Sequence, residues 1–148
     1  QLVVMQTFSK AWGMAGLRVG MAFAQPEILD LMNKVKPPYN ISILNQKEVY
    51  NSLQNIEKFR ENLNEILEQR SFIENELLKF NFVKKIYPSD ANFLLIKVEN
   101  ADQLYNYLVD EKIIIRNRNK VVENCVRITI GNQEENQKLL QSLKNYKN

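Results

Sequence analysis

One stretch near the start of the chain restricts the fold more than any other: Thr7-Phe8-Ser9-Lys10-Ala11-Trp12-Gly13-Met14-Ala15-Gly16-Leu17-Arg18-Val19-Gly20. It follows a wholly apolar run, Leu2 to Met5, that reads as a buried strand. A lysine at the mouth of such a strand is partly desolvated, which favours its neutral, nucleophilic amine. Ser9 stands beside it, three glycines follow, and Arg18 comes eight residues later. Hydroxyl and guanidinium can both donate to an anion, and small residues let backbone approach it closely. In a nucleotide P-loop the lysine comes after the glycines, so the order here is wrong for one. A nucleophilic lysine beside a phosphate cradle is what a pyridoxal phosphate Schiff base requires. The competing reading is a surface lysine on a strand-to-loop turn, with glycines that serve only the turn.

The run Ser9 to Gly20 resembles the cofactor-lysine motif of the fold-type-I aminotransferases, and among them most the histidinol-phosphate aminotransferases. The resemblance implies that Lys10 carries the Schiff base and that Ser9 and Arg18 hold the phosphate of pyridoxal 5'-phosphate. It also implies that these 148 residues correspond to roughly the last two-fifths of such an enzyme. The chain is therefore expected to be a fragment, inactive by itself, of a cytoplasmic homodimer with its site at the subunit interface.

Two further arginines fit this reading. Val126-Arg127-Ile128-Thr129-Ile130-Gly131 sets one arginine in an otherwise apolar strand. A charge there needs an anionic partner, and a guanidinium grips a carboxylate through two parallel hydrogen bonds. A neighbouring glutamate would serve as well. The run is similar to the LRITVG motif of the family, which implies that Arg127 holds the substrate carboxylate. Ile113-Ile114-Ile115-Arg116 has the same form, and the resemblance makes Arg116 a contact for the substrate's phosphate. Arg118 is expected on a solvated loop. Asn92, in a stretch resembling S-x-x-N-F, is implied near the substrate entrance; a plain turn asparagine is the alternative.

The remaining chain reads as an α/β fold. Residues 2–8 and 17–24 read as strands, which the resemblance makes adjacent and antiparallel, and Glu27 to Val35 as a helix that Lys36-Pro37-Pro38 breaks. Pro37 to Asn40 resembles the family's linker and is the expected hinge. From Ile43 to Phe80 apolar residues recur three and four apart, a helical period with a break expected near 52–57. Its stripe, Ile56, Phe59, Leu63, Ile66 and Leu67, is expected to be core. Strands are expected at 82–87, 93–98, 113–116 and 126–130, with helices at 100–111 and from Gly131 to near Tyr146. The resemblance divides the chain at residues 1–45, the end of the large cofactor-binding domain with its linker, and 46–148, a small α+β domain.

Composition excludes several classes. A net charge of +3, spread along helical stretches, is too small to argue for nucleic acid, and none is expected as a partner. Histidine is absent, which removes histidine catalysis and ordinary zinc sites. Cys125 stands alone, so no intramolecular disulfide is available, and it is expected to be a small buried hydrophobe. No apolar run is long enough for a membrane span. The expected activity is transamination between L-histidinol phosphate and 2-oxoglutarate. Threonine-phosphate decarboxylation, aromatic amino-acid transamination and a non-catalytic α+β binding module are the alternatives.

Overall fold

The computed structural model describes residues 2–147, so Gln1 and Asn148, the ends of the two expected domains, lie outside it. The chain divides into two compact units, one up to Leu63 and one from Asn64 onward.

In the first unit β1 (Val4–Thr7) pairs antiparallel with β2 (Gly20–Phe23), Thr7 standing opposite Gly20. A β-carbon at position 20 would come 2.9 Å from the Gln6 carbonyl oxygen, so only glycine fits there. The two strands form a sheet of their own. The expectation that β1 is buried is not met: every residue of β1 and β2 is exposed, Met5 at 78% and Phe23 at 53%. A two-stranded ribbon has no layer to cover either face, whatever its composition. α1 (Pro26–Val35) places its proline at the first helical position, where a missing N–H costs nothing. α2 (Ile43–Gln54) is capped by Ser42, whose hydroxyl accepts from the Asn45 amide. The expected helix break is at Asn55, and α3 (Ile56–Leu77) follows it.

The second unit is an antiparallel sheet with helices on one side. The strands are β3 (Val83–Ile86), β4 (Phe93–Val98), β5 (Arg116–Asn117) and β6 (Cys125–Thr129), in spatial order β3-β4-β6-β5. α4 (Ala101–Asp110) and α5 (Gln133–Asn145) bury Leu104, Leu108, Leu139 and Leu143 against Leu94, Ile96, Val126 and Ile128. β4 alternates strictly between half-buried and buried, so Leu94, Ile96 and Val98 face the helices while Phe93, Leu95 and Lys97 face away. Two asparagines start the helices: Asn100 accepts from the Gln103 amide, and Asn132 forms a reciprocal capping box with Glu135.

Two expectations need correction here. The strand expected over 113–116 is only Arg116–Asn117. Lys112 has a left-handed φ of 61°, and the Ile113 amide bonds the Leu108 carbonyl at the end of α4, so that segment is held to the helix rather than to β6. None of the five stripe residues expected as core is buried, Ile56 and Leu67 being 38% and 40% exposed; α3 enters the core further on, through Ile73 and Leu77.

Candidate functional site

The loop joining β1 to β2 holds Ser9, Lys10 and Arg18, and it is fixed from several sides. Phe8, Met14 and Val49 form a small buried cluster, with Trp12, Leu17 and Val19 packed on it. Trp12 stacks on Phe59 at 4.1 Å between ring centroids, and the Asn45 side-chain amide donates to the Leu17 carbonyl at 3.0 Å. Gly13 adopts φ 68°, a left-handed conformation that glycine takes without steric cost. Arg18 also lies in the left-handed region, at φ 54°. For an arginine this costs about 1 kcal/mol or more, and such strain collects at functional positions.

Several hydrogen-bond donors of this loop are left open. The Thr7 hydroxyl donates to Ser9 Oγ at 2.8 Å and accepts from the Ser9 amide at 3.1 Å. With its oxygen occupied as an acceptor, the Ser9 hydroxyl keeps its own proton to give away. Arg18 bonds the Ala15 carbonyl through one terminal nitrogen at 3.0 Å, leaving the rest of its fork open. Lys10 is exposed, contrary to the desolvated setting expected for it, because β1 is itself exposed. Thr7 was not legible as a site residue, since a threonine ending a strand carries no chemical signature.

In the second unit Arg116, Arg127 and Asn92 come together around β6. Arg127 lies on the sheet face away from the helices and stacks its guanidinium over Phe93 at 4.8 Å. Arg116 is directly opposite Arg127 in the antiparallel pair, so the two like charges share one face. Arg127 Nε is buried with no hydrogen-bond partner, and no acidic side chain among the described residues pairs with either arginine. A buried, unpartnered donor costs about 1–3 kcal/mol. Two guanidinium groups on one sheet face, neither paired with an acid, could hold anionic groups. Asn92 is exposed, and its carbonyl accepts from the Ile130 amide at 2.9 Å, tying the start of β4 to the end of β6.

The turn after β6 is held by Asn136, 2% exposed, which accepts from the Gly131 amide and donates to Gln69 Oε1 and the Gly131 carbonyl. Arg118 is half-buried rather than on a solvated loop, because its amide bonds the Cys125 carbonyl and continues the ladder beyond β5. Cys125 is fully buried and unpaired, as expected. Among the described residues there is no cluster of potential metal ligands, and no helix is long and apolar enough to cross a membrane.

Comparison with known proteins bears on the chain as a whole. The sequence model described as aminotransferase class I and II matches residues 1–143. The histidinol-phosphate aminotransferase of Cytophaga hutchinsonii is 48% identical over 147 residues, covering 98% of this chain and 42% of that protein. The crystal structure of the histidinol-phosphate aminotransferase from Clostridium acetobutylicum superposes with a TM-score of 0.89 at 29% identity, over 97% of this chain and 45% of that one. That of Sinorhizobium meliloti, solved in complex with pyridoxal-5'-phosphate, gives a TM-score of 0.84 at 23% identity over 97% and 40%, and speaks to the fold alone. The chain thus spans about two-fifths of the length of the curated relatives it matches.

Proposed function

The chain belongs to the class I and II aminotransferases, and from that premise we propose that the intact protein is a pyridoxal-phosphate-dependent histidinol-phosphate aminotransferase. It would convert L-histidinol phosphate and 2-oxoglutarate to imidazole acetol phosphate and L-glutamate. The observation that carries this reading is the ordered loop that holds, beside Lys10 in sequence, the Ser9 hydroxyl oriented by Thr7 and the open fork of Arg18. The fold is that of the C-terminal part of a fold-type-I transferase.

The residues present fit the cofactor. Ser9 and Arg18 offer hydrogen-bond donors for its phosphate, and Lys10 offers the primary amine that would bond its aldehyde carbon. When bound, pyridoxal phosphate supplies the electron sink that makes the proton on an amine-bearing carbon removable. With the cofactor bound, Lys10 Nζ would be the base that accepts that proton from the donor carbon and returns it. Arg127, with Nε already lacking a partner, takes the carboxylate of glutamate or 2-oxoglutarate. Histidinol phosphate has an alcohol where an amino acid has its carboxylate, so Arg127 matters most in the glutamate half-reaction. Arg116 takes the phosphate of the amino donor, and Asn92 lies at the entrance.

In the whole enzyme residues 1–45 would close the large domain and its linker, and residues 46–148 would form the small domain. The helix break at Lys36 to Asn40 supports a hinge there. The enzyme would be a cytoplasmic homodimer, and this chain by itself inactive. The test is Lys10→Ala in the intact enzyme. It should abolish both transamination and the borohydride-reducible cofactor absorbance. A variant that keeps a covalent, reducible adduct would refute the assignment.

A further inference from the structure

Beside β5 runs a cleft of about 510 Å³, and its lining joins Arg116 to two cations that the proposed mechanism leaves idle, Arg118 and Lys120. Because the Arg118 amide bonds the Cys125 carbonyl at 2.9 Å, the strand geometry persists through residue 118. Residues two apart on a strand present their side chains to the same side, so Arg116 and Arg118 are paired by the backbone itself. Half-burial of Arg118 means that its charge has already lost part of its water.

The acid in this cleft does not neutralise it. Asp102 accepts from the Asn117 side-chain amide at 2.6 Å and from that of Asn119 at 2.8 Å, one on each carboxylate oxygen. Asn119 Oδ1 in turn accepts from the Asn124 amide at 2.8 Å, and the Val121 and Val122 amides both donate to the Arg118 carbonyl. These bonds fix the segment from Asn117 to Val122 before any ligand arrives. Three cations and one engaged carboxylate therefore line a preformed cleft whose apolar walls come from Tyr105, Ile114 and Val121. No ion pair among the described residues involves any of the three cations. That charge and size suit a phosphate dianion with a short carbon body.

We propose that Arg118 is a second binding residue for the phosphate of the amino donor, acting beside Arg116 with Lys120 at the cleft's rim. The inference rests on the function proposed above and extends it. One guanidinium holds two phosphate oxygens, and a second on the same side can hold the third. Selection for a phosphorylated donor then depends on Arg118 as well as Arg116.

The experiment is steady-state kinetics on the intact enzyme with histidinol phosphate, with unphosphorylated histidinol, and with inorganic phosphate as a competing inhibitor. Arg118→Gln should raise KM for histidinol phosphate about tenfold or more, the loss expected for a charge-assisted bond. It should leave kcat and the KM values for histidinol and 2-oxoglutarate unchanged, which also certifies a folded variant. Inhibition by inorganic phosphate should weaken in proportion, and Arg118→Lys should recover part of the loss. A wild-type enzyme that prefers histidinol phosphate, combined with an Arg118→Gln variant of unchanged preference, overturns this inference and spares the proposed function. A wild-type enzyme without any preference for the phosphorylated donor overturns both.

Discussion

Replacing Arg127 by methionine should make the second unit more stable while disabling the site. Three effects set the sign. Arg127 Nε is buried without a partner, and removing such a donor recovers about 1–3 kcal/mol. The like charge directly opposite at Arg116 adds a few tenths to about 1 kcal/mol. Against these stands the stacking of the guanidinium on Phe93 at 4.8 Å, worth about 0.5–1 kcal/mol at a half-exposed position. Methionine keeps most of the aliphatic stem and its packing. The balance is a stabilisation of about 1 kcal/mol, or roughly a fivefold slowing of amide exchange in strands that open only by global unfolding of their unit. Hydrogen exchange of the β4 and β6 amides, read by mass spectrometry on wild-type and variant chains, measures it. Exchange that instead quickens fivefold or more would mean that Arg127 is a structural residue with a protein partner, and the argument for an anion site would fall. In the intact enzyme the same substitution should raise KM for glutamate and 2-oxoglutarate and leave the cofactor bound.

Asn136→Leu should cost about 3 kcal/mol, because three hydrogen bonds of a buried side chain are lost and the half-buried Gly131 backbone groups lose their partner; Gln69→Ala, which breaks one of them, should cost about 1 kcal/mol in the same urea titration. Arg18→Ala in the intact enzyme should weaken cofactor retention about tenfold or more on dialysis, a loss that Arg127→Ala should not share. Burial, and secondarily the charge of Glu99, raise the Tyr146 hydroxyl above its ordinary value. The protonated form is the one the fold favours, so its contribution is intact below the unfolded value near 10 and is lost as pH rises through the folded value. Tyr146→Phe should therefore flatten the alkaline fall in stability, measured as urea midpoints from pH 8 to 11; an unchanged slope would refute the assignment.

What was legible in the sequence was whatever is set by local chemistry. The alternation of Phe93 to Val98 gives both the strand and its buried face. That Ser9, Lys10 and Arg18 share one loop was legible because an apolar strand precedes them and a second follows. What was not legible depends on pairing across the chain. Ile113 to Ile115 has strand composition, yet the Ile113 amide is taken by α4 before β6 can use it. That Arg127 lies over Phe93 and opposite Arg116 follows from the registers of β4–β6 and β5–β6, which no residue type encodes. Arg118 looked like a solvated loop residue because nothing in its neighbours reveals that its amide extends the ladder to Cys125.

The contrast between the two sheets explains how the lysine loop keeps its order. Leu2 to Met5 is an unbroken apolar run, the composition of a strand covered on both faces. Here it is not covered: Leu2, Val3, Val4 and Met5 are 73%, 36%, 45% and 78% exposed. A two-stranded ribbon of this kind is marginal by itself, so β1 and β2 contribute little to the rigidity of the loop between them. That rigidity comes instead from Phe8 and Met14 packed with Val49, from Trp12 on Phe59, and from Asn45 bonded to the Leu17 carbonyl. Each of those contacts joins the loop to α2 or to the start of α3. The strands bring the two ends of the loop together, and the helices fix the conformation in which Ser9 and Arg18 present their donors. Replacing Trp12 or Asn45 should therefore disturb this cradle more than an equally conservative change in β1.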